Sequence, residues 1–344
     1  MEFGILSDGK KASLYSITDG NGCELRVTDY GATIVSYFVP DKDGKIRDIV
    51  LGYDSAPEYE KNSCYFGAVI GRGCNRIRDG RFSLKNIEYQ LDKNDRGNNL
   101  HSGKKGFDRR IWEVVDKNKR EILFRINEKD MENGYPGNMT AEVRYCFEDV
   151  GKLKITYNAV SDKDTVANMT NHSYFNLNGH DGGSVENHMM TLNAKFFTPN
   201  EDECAIATGE ILAVKNTPFD FTEGKCIGDG INEENRQLKF VGGFDQNYVI
   251  EGQSGVLRKA AEACSSDSGI CLELYTDTPG IEFYAGNMIP EHTGKKNVVY
   301  GKRCGFCLEP EYFPDSINIS HFKQPFIKAG EKYESVTVIR CGAM

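Results

Sequence analysis

The chain has 344 residues, of which 39% are hydrophobic and 27% are charged, and its formal net charge is −9. This is the composition of an ordinary soluble globular protein rather than of a disordered or membrane protein. A surplus of negative charge repels nucleic-acid phosphates and anionic lipids, so we expect neither nucleic acid nor membrane as a partner. A neutral small molecule is compatible with this charge.

The N-terminal segment 1–11 has no basic region followed by an apolar stretch. No run of about 18 apolar residues occurs, so no membrane-spanning helix is expected. We therefore predict a cytoplasmic location without a signal peptide. Because the eleven cysteines are scattered through a long chain, reduced thiols are expected rather than a disulfide framework.

Apolar and polar residues alternate along four segments, which places apolar side chains on one face of an extended backbone. Half-buried strands are therefore predicted over 121–127, 142–148, 152–159 and 270–276. Short turns rich in glycine, asparagine and aspartate separate such segments. These features predict an all-β, antiparallel protein built as a large sandwich or barrel, with a single domain over residues 1–344.

Little helix is predicted, because no long stretch repeats its apolar residues at the helical spacing. Short helical turns are expected near 55–62 and 229–236, and the segment 252–268 is expected to be a surface loop. Cys304 and Cys307 are three residues apart, but neither a helix start for a redox pair nor further zinc ligands are evident. They are predicted to be ordinary strand cysteines.

Two of the six histidines lie in unusual polar contexts, His101 within 98–103 and His172 within 168–177. If 168–177 is extended, one face carries polar groups and an aromatic ring, from Asn168, Thr170, His172, Tyr174 and Asn176. Such a face suits a polyol, whose hydroxyls need partners and whose C–H face stacks on a ring. The same alternation also describes an outer strand with one exposed histidine, so both interpretations stay open.

Glu309 lies at the end of a shorter segment in which residues alternate between two faces. In an extended chain Phe306 and Leu308 face one way while Cys307 and Glu309 face the other, and Pro310 then ends or edges the strand. A lone glutamate is most often a surface carboxylate. Three further polar residues in glycine-containing segments have equally ordinary interpretations as turn or surface groups, namely Asn75, Arg76 and Asp245.

Taken together and in order, the motifs of this chain resemble the aldose 1-epimerase (galactose mutarotase) family over nearly the whole sequence. They include GRGCNRI at 71–77, NLHSG at 99–103, KGFDRRIW at 105–112, NGYPGNMT at 133–140, NMTNHSYFNL at 168–177, TGEI at 208–211, TPFDF at 217–221, GFDQNY at 243–248, TPGIEFYAGN at 278–287, GFCLE at 305–309 and YFPD at 312–315. The order and number of these motifs are more specific than any one motif. The resemblance implies a β-sandwich of the galactose-mutarotase type, with a shallow polar cleft for a sugar.

The resemblance also implies roles for single residues. Glu309 would be the general base that takes the proton from the anomeric hydroxyl, and His172 would be the general acid that protonates the ring oxygen. His101 would bind near the ring oxygen or anomeric centre and assist. The substrate-binding residues would be Asn75, Arg76, Tyr174, Asp245 and Glu282.

This assignment fits the chemistry of anomer interconversion, which opens a hemiacetal, turns the aldehyde and closes the ring again. One proton must leave O1 and one must reach O5, and a carboxylate and an imidazole on opposite sides of the ring meet that need near neutral pH. No metal or cofactor is expected. The expected substrate is an aldose such as D-galactose or D-glucose, and the expected assembly is a monomer or homodimer.

Three positions depart from the family pattern. Gln246 stands where the family often has histidine, Glu282 where it often has glutamine, and Pro310-Glu311 where Thr-Gln is common. An added carboxylate is expected to alter sugar preference, or to raise the pKa of Glu309 where it lies close.

Two alternative functions stay open. One is an epimerase that acts on another sugar or on a sugar phosphate. The other is a non-catalytic carbohydrate-binding module. The negative charge weighs against phosphate, and the set of acid–base residues weighs against binding alone.

Overall fold

The computed structural model describes residues 1–61 and 63–343. Strands dominate the first part of this chain, as β1 (Glu2–Ile5), β2 (Lys11–Thr18), β3 (Glu24–Thr28), β4 (Ile34–Pro40), β5 (Ile46–Asp48), β6 (Val69–Ile70), β7 (Arg76–Ile77), β8 (Arg81–Leu84), β9 (Ile87–Gln90), β10 (Asn99–Leu100), β11 (Glu113–Lys117), β12 (Glu121–Glu128), β13 (Met139–Asp149), β14 (Lys152–Ser161), β15 (Thr165–Val166), β16 (Thr170–Asn171) and β17 (Tyr174–Phe175).

Strands also make up most of the second part, as β18 (Met189–Leu192), β19 (Phe196–Thr198), β20 (Leu212–Ala213), β21 (Lys225–Cys226), β22 (Asp245–Val249), β23 (Arg258–Cys264), β24 (Ile270–Thr276), β25 (Gly280–Tyr284), β26 (His292–Thr293), β27 (Val299–Tyr300), β28 (Phe306–Glu311), β29 (Phe326–Ile327) and β30 (Lys332–Ala343). The described helices are short, with α1 at Ala56–Glu60, α2 at Arg236–Val241, and 3₁₀ turns at Arg78–Gly80, Phe107–Arg109, Glu132–Gly134 and Lys295–Asn297. Within the described residues, no helix has the length and apolarity needed to cross a membrane.

Two large sheets organise the fold. One has nine strands in the order β11-β12-β13-β14-β30-β24-β23-β18-β21, and the other has six in the order β17-β28-β25-β22-β19-β20. Strands β1 to β5 form a third sheet in sequence order, and the ladders between these strands are antiparallel. One cluster of buried residues takes side chains from both large sheets, such as Tyr145 from β13 and Leu308 from β28. The predicted all-β, antiparallel sandwich is therefore confirmed.

The four strands predicted from alternation are also confirmed, as β12, β13, β14 and β24. In β13 and β14 buried and partly exposed residues alternate along nearly the whole length. Tyr145 pairs with Ile155 and Val143 with Tyr157 across their ladder, and all four side chains are buried. The alternation was readable in the sequence because one face of this hairpin is buried in the core while the other borders solvent.

The predictions for helix were right in one place and displaced in the other. The turn expected near 55–62 corresponds to α1, whereas the turn expected near 229–236 is displaced, because α2 begins at Arg236. The Asn235 side chain caps α2 by accepting a hydrogen bond of 2.9 Å from the Gln237 N–H, which is the usual role of asparagine at a helix start.

The surface loop predicted over 252–268 is wrong at its centre, where β23 forms. The buried residues of β23 include Ala260, Ala261 and Ala263, which are too small to produce a strong apolar alternation. The prediction of reduced thiols is also wrong for Cys264 and Cys271, which face each other across the β23–β24 ladder and are joined by a disulfide. This pairing depends on strand register, which the cysteine count does not show.

A buried ion pair joins Arg72 to Glu128 of β12. The Nε of Arg72, which is 0% exposed, donates to Glu128 Oε2 over 2.8 Å. The guanidinium also donates to the Pro136 carbonyl and to Thr165 Oγ1, over 2.8 Å and 3.0 Å. Glu128 therefore neutralises a charge that has no access to water.

Removing the carboxylate while leaving this guanidinium in place should destabilise the fold. We expect Glu128→Ala to lower the free energy of unfolding by about 3–5 kcal/mol, because an uncompensated buried charge remains. Glu334→Ala, at an exposed position of β30, is the matched control and should change it by less than about 0.5 kcal/mol. Urea unfolding followed by intrinsic fluorescence measures both values, and equal losses in the two variants would contradict this account.

Candidate active site

A polar cleft of about 220 Å³ opens beside the six-stranded sheet. Its lining comes from β25, β28 and the start of β22 together with the loops around β7, β10 and β16, and consists of Ser63, Cys64, Tyr65, Asn75, Arg76, Asp95, Arg96, Leu100, His101, His172, Tyr174, Asp245, Glu282, Tyr284, Met288 and Glu309. All eight residues to which the resemblance gives a catalytic or substrate-binding role are in this lining. A larger hollow of about 590 Å³ on β12–β14 carries no histidine, so it lacks comparable chemistry.

His172 occupies the break between β16 and β17. Its backbone N–H donates to the Ala68 carbonyl and its carbonyl accepts from the Gly67 N–H, each over 2.9 Å. Gly67 has a φ of +67°, and a Cβ there would clash with the Ile34 carbonyl, so the position needs glycine. On the imidazole, Nδ1 lies 3.4 Å from Cys307 Sγ, and Nε2 lies on the Glu309 side.

His101 is held against Asn75 by two hydrogen bonds. Its Nδ1 accepts from the Asn75 N–H over 3.2 Å, and its own N–H donates to the Asn75 carbonyl over 3.1 Å. Both residues have positive φ, +53° for His101 and +59° for Asn75, which is costly for residues other than glycine and is frequent at functional sites. An Nδ1 that accepts leaves the ring proton on Nε2, so His101 is a hydrogen-bond donor on its free side.

Glu309 is 3% exposed, so the ordinary interpretation as a surface carboxylate is wrong. The face argument is confirmed, because Phe306 and Leu308 join the main core while Cys307 lies in the second cluster, on the side of the cleft. Register places Glu309 directly opposite Glu282 of β25. Within the described residues, Glu309 Oε2 is buried without a hydrogen-bond partner.

The acid–base candidates lie next to each other. His172 Nε2 is 3.6 Å from Glu309 Oε1, which leaves no room for a sugar ring between them. The expectation that they stand on opposite sides of the ring is therefore wrong. O1 and O5 of an aldose are both bonded to C1, so neighbouring groups on one side of the ring can reach both oxygens.

Burial sets the protonation of this pair. The pKa of His172 is lowered to about 3, chiefly by burial and in smaller part by the charge of Arg76. Burial also raises the pKa of Glu309 well above its usual range, and the carboxyls of Glu311 and Asp245 add to this shift while Arg76 opposes it. Both shifts favour a free site in which His172 is neutral and the proton shared by the pair lies on Glu309.

Of the two arginines that line the cleft, Arg96 is exposed and Arg76 lies among the carboxyl groups with its side chain 14% exposed. Arg76 Nε donates to Asp95 Oδ2 over 2.9 Å. Burial raises the pKa of Asp245 to about 6 although Arg76 pulls it down. The pKa of Glu282 is raised well above its usual range by burial and then by Asp245, Glu311 and Glu309. Not all of these carboxyls can be ionised together near neutral pH.

The polar face predicted over 168–177 is only partly correct. The segment is not one strand, because β16 and β17 are separated at His172 and Ser173. His172 and Tyr174 reach the cleft, with rings stacked at 5.0 Å and an interplanar angle of 9°. The three other members lie outside the lining, and Asn168 accepts a hydrogen bond from the Tyr312 N–H while Asn176 donates to backbone carbonyls.

The three departures from the family pattern have different positions. Gln246 is not in the lining, and its Oε1 accepts from the Asp245 N–H over 2.9 Å. Glu282 is in the lining. Glu311 is fully buried and also outside the lining. Only Glu282 is therefore placed to touch a ligand directly.

Two neighbours of the histidines were missed in the sequence. The Tyr65 ring lies 4.8 Å from His101 and 5.8 Å from His172, between centroids. It follows a segment without patterning, so nothing local marks it. Cys307 had been assigned as an ordinary strand cysteine, although its place two residues before Glu309 on the same strand face was a usable signal.

His101, His172 and Glu309 present ligand atoms within 4.8 Å of one another. The hydrogen bonds of His101 argue against a metal there, because Nδ1 is occupied by a backbone donor and Nε2 carries the proton. A zinc ligand must offer a lone pair, and protein zinc ligands lie about 2.0–2.3 Å from the ion. The donor set therefore does not fit a resident metal.

We accordingly expect the purified protein to contain well under one equivalent of transition metal per chain. Dialysis against a chelator should leave its catalytic rate unchanged, with elemental analysis and an activity assay as the measurements. A stoichiometric metal whose removal abolishes activity, and whose return restores it, would contradict the hydrogen-bonding argument.

Comparisons with known proteins identify relatives of the whole chain. The family model described as aldose 1-epimerase matches residues 13–340. An aldose 1-epimerase of Escherichia coli (strain K12) is 35% identical over 332 residues, covering 96% of this chain and 95% of its own length. A galactose mutarotase of Bos taurus is 39% identical over 317 residues, covering 91% and 90%.

Solved structures agree as well. A galactose 1-epimerase from Lactobacillus acidophilus NCFM superposes with a TM-score of 0.84 at 27% identity, over 99% of this chain and 97% of its own. An aldose epimerase homologue from C. elegans gives a TM-score of 0.90 at 29% identity, over 97% and 99%. The chain therefore belongs to the aldose 1-epimerase family and, with it, among the isomerases.

Proposed function

We propose that this protein is an aldose 1-epimerase that interconverts the α and β anomers of a hexose such as D-galactose or D-glucose. The observation that carries the proposal is the contact of 3.6 Å between His172 Nε2 and Glu309 Oε1 inside a polar cleft. Ring opening needs one proton removed and one delivered at neighbouring oxygens. A pair that shares one proton can do both.

In the proposed reaction Glu309 takes the proton from O1 while His172 delivers one to O5, and the roles reverse when the ring closes. For this the shared proton must pass from Glu309 to His172 as the sugar binds. A sugar hydroxyl that donates to Glu309 Oε2 would stabilise the carboxylate and so favour that transfer. His101, with its proton on Nε2, would donate to the ring oxygen or the anomeric oxygen.

The remaining residues are proposed to hold the hydroxyls away from C1. Asp245 and Glu282 offer carboxyl oxygens, and the guanidinium of Arg76 has donors beyond the one that binds Asp95. Tyr174 forms the wall behind the His172 ring. Such contacts would fix the sugar while leaving C1 free to turn about the C1–C2 bond.

The alternatives are less well supported. A sugar phosphate would meet several carboxyl groups, and Arg76 is already paired with Asp95, so its binding would be opposed by like charge. A binding module would have no use for a buried acid–base pair. The cytoplasmic location, the monomeric or homodimeric state and the single-domain organisation over 1–344 stay predictions.

Polarimetry tests the reaction directly. Freshly dissolved α-D-galactose and α-D-glucose should lose optical rotation faster with the protein than with buffer, and galactose 1-phosphate should not be bound competitively. If no aldose in a broad panel is accelerated, the proposed function is wrong. The panel also identifies the preferred sugar.

Substitution tests the two proton carriers. Glu309→Gln and His172→Asn should each lower kcat at least about 100-fold, because each removes one proton transfer. Glu334→Gln and His321→Asn, at exposed positions, are the matched controls and should keep full turnover. Near-normal kcat in either site variant, with the fold verified by circular dichroism, would remove the role assigned to that residue.

A further inference from the structure

Glu311 is a buried carboxyl group that the proposed reaction does not use. It is the last residue of β28, two positions beyond Glu309, and it is 0% exposed. Both of its oxygens accept hydrogen bonds, Oε1 from Asn75 Nδ2 over 2.7 Å and Oε2 from Cys74 Sγ over 3.0 Å. The chain has thus built donors for a negative charge behind the wall of the cleft.

Glu311 also determines how Asn75 is held. Asn75 Nδ2 donates a second hydrogen bond to Glu282 Oε2 over 3.2 Å, longer than the one to Glu311. Asn75 Oδ1 accepts from the Arg76 N–H over 2.7 Å. Glu311 is therefore the stronger anchor for a side chain proposed to bind the sugar, although it does not line the cleft itself.

Strand geometry keeps Glu311 close enough to Glu309 for a charge on one to affect the other. Residues two apart on one strand face are separated by about 6.6 Å. The other charged or titratable groups around Glu309 come from β22, β25, β28, the β16–β17 break and the loops at β7 and β10, namely Asp245, Glu282, Cys307, His172, Arg76 and His101. Buried Tyr157 and Tyr174 are neutral there, since burial raises the pKa of each well above its usual range.

Glu311 and Arg76 act on Glu309 in opposite senses. The guanidinium favours loss of the Glu309 proton, whereas a negative charge on Glu311 favours its retention. Glu311 has two protein donors, whereas Glu309 Oε2 has no partner among the described residues. When one of the two ionises, the charge is therefore better stabilised on Glu311.

We propose that Glu311 is a positioning residue for anomer interconversion, which anchors Asn75 and, through its charge, keeps the single proton on the His172–Glu309 pair. This inference rests on the proposed function. It explains a glutamate at this site, because a glutamine carries no charge and offers only one acceptor oxygen for the two donors, Asn75 Nδ2 and Cys74 Sγ.

The pH range in which the charge of Glu311 affects Glu309 depends on the pKa shifts of the two carboxyl groups. Burial raises the pKa of Glu311 to about 8, while its bonds to Cys74 and Asn75 pull it down. The pKa of Glu309 is raised well above its usual range. Because Glu311 has two donors and Glu309 Oε2 has none among the described residues, we expect Glu311 to ionise first as the pH rises, and its charge then opposes loss of the proton from Glu309. Activity should therefore decline at the alkaline pH at which Glu309 loses its proton.

The test compares kcat/KM against pH for the wild-type protein, Glu311→Gln, Glu311→Asp and the exposed control Glu334→Gln. In Glu311→Gln the alkaline decline should move to lower pH by about one to two units, the shift expected from removing one charge at that distance. Glu311→Asp, which keeps the charge, should decline near the wild-type pH, and the control should match the wild type. Superimposable profiles for Glu311→Gln and wild type would overturn the inference while leaving the proposed function intact.

Two further measurements apply if the Glu311→Gln variant does not fold or if the wild-type protein shows no activity. If Glu311→Gln does not fold, Cys74→Ala replaces it, because it removes one donor to Glu311. Its alkaline decline should move the same way by a smaller amount, and no movement would overturn the inference. If the wild type accelerates no aldose, an infrared pH titration of the carboxyl band lost in Glu309→Gln reports the same proton without turnover. That midpoint should be lower in Glu311→Gln, and an unchanged midpoint would overturn the inference.

Discussion

The burial of several carboxyl groups around the largely buried guanidinium of Arg76 is the constraint on which the site depends. Asp245, Glu282, Glu309 and Glu311 are all under one-tenth exposed, and Arg76 lies among them. Removing an ion from water costs several kcal/mol even after relaxation, so Arg76 and the exposed Arg96 cannot keep all four ionised near neutral pH. The site therefore holds protons as a consequence of its shape, before any substrate enters.

The scaffold maintains this arrangement through backbone pairing. The β25–β28 ladder places Glu282 opposite Glu309, and the β22–β25 ladder brings Asp245 opposite Tyr284. The loops that close the other side carry positive φ at Asn75 and His101. Rigid sheets on one side and conformationally costly loops on the other keep the acid–base groups within contact distance, which proton transfer requires.

The added carboxyls at Glu282 and Glu311 differ in the state that their surroundings favour. Where burial keeps Glu282 protonated, its hydroxyl can donate a hydrogen bond, as the glutamine common in the family would. Glu311 differs because its two donors favour a charge. The two glutamates thus occupy amide positions of the family pattern with different consequences, one at the cleft surface and one behind it.

The sequence by itself determined the elements whose information is local. Alternation in β12, β13, β14 and β24 predicted the sandwich, since one face of each strand is buried, and the ordered motifs identified the eight residues that the cleft brings together. Tertiary structure alone decided what depends on register between distant segments. This includes the Cys264–Cys271 disulfide, the approach of Glu311 to Asn75, and the adjacency of His172 and Glu309. These contacts join residues far apart in the chain or across a ladder, and a side chain's burial and charge state follow from such neighbours rather than from its own segment.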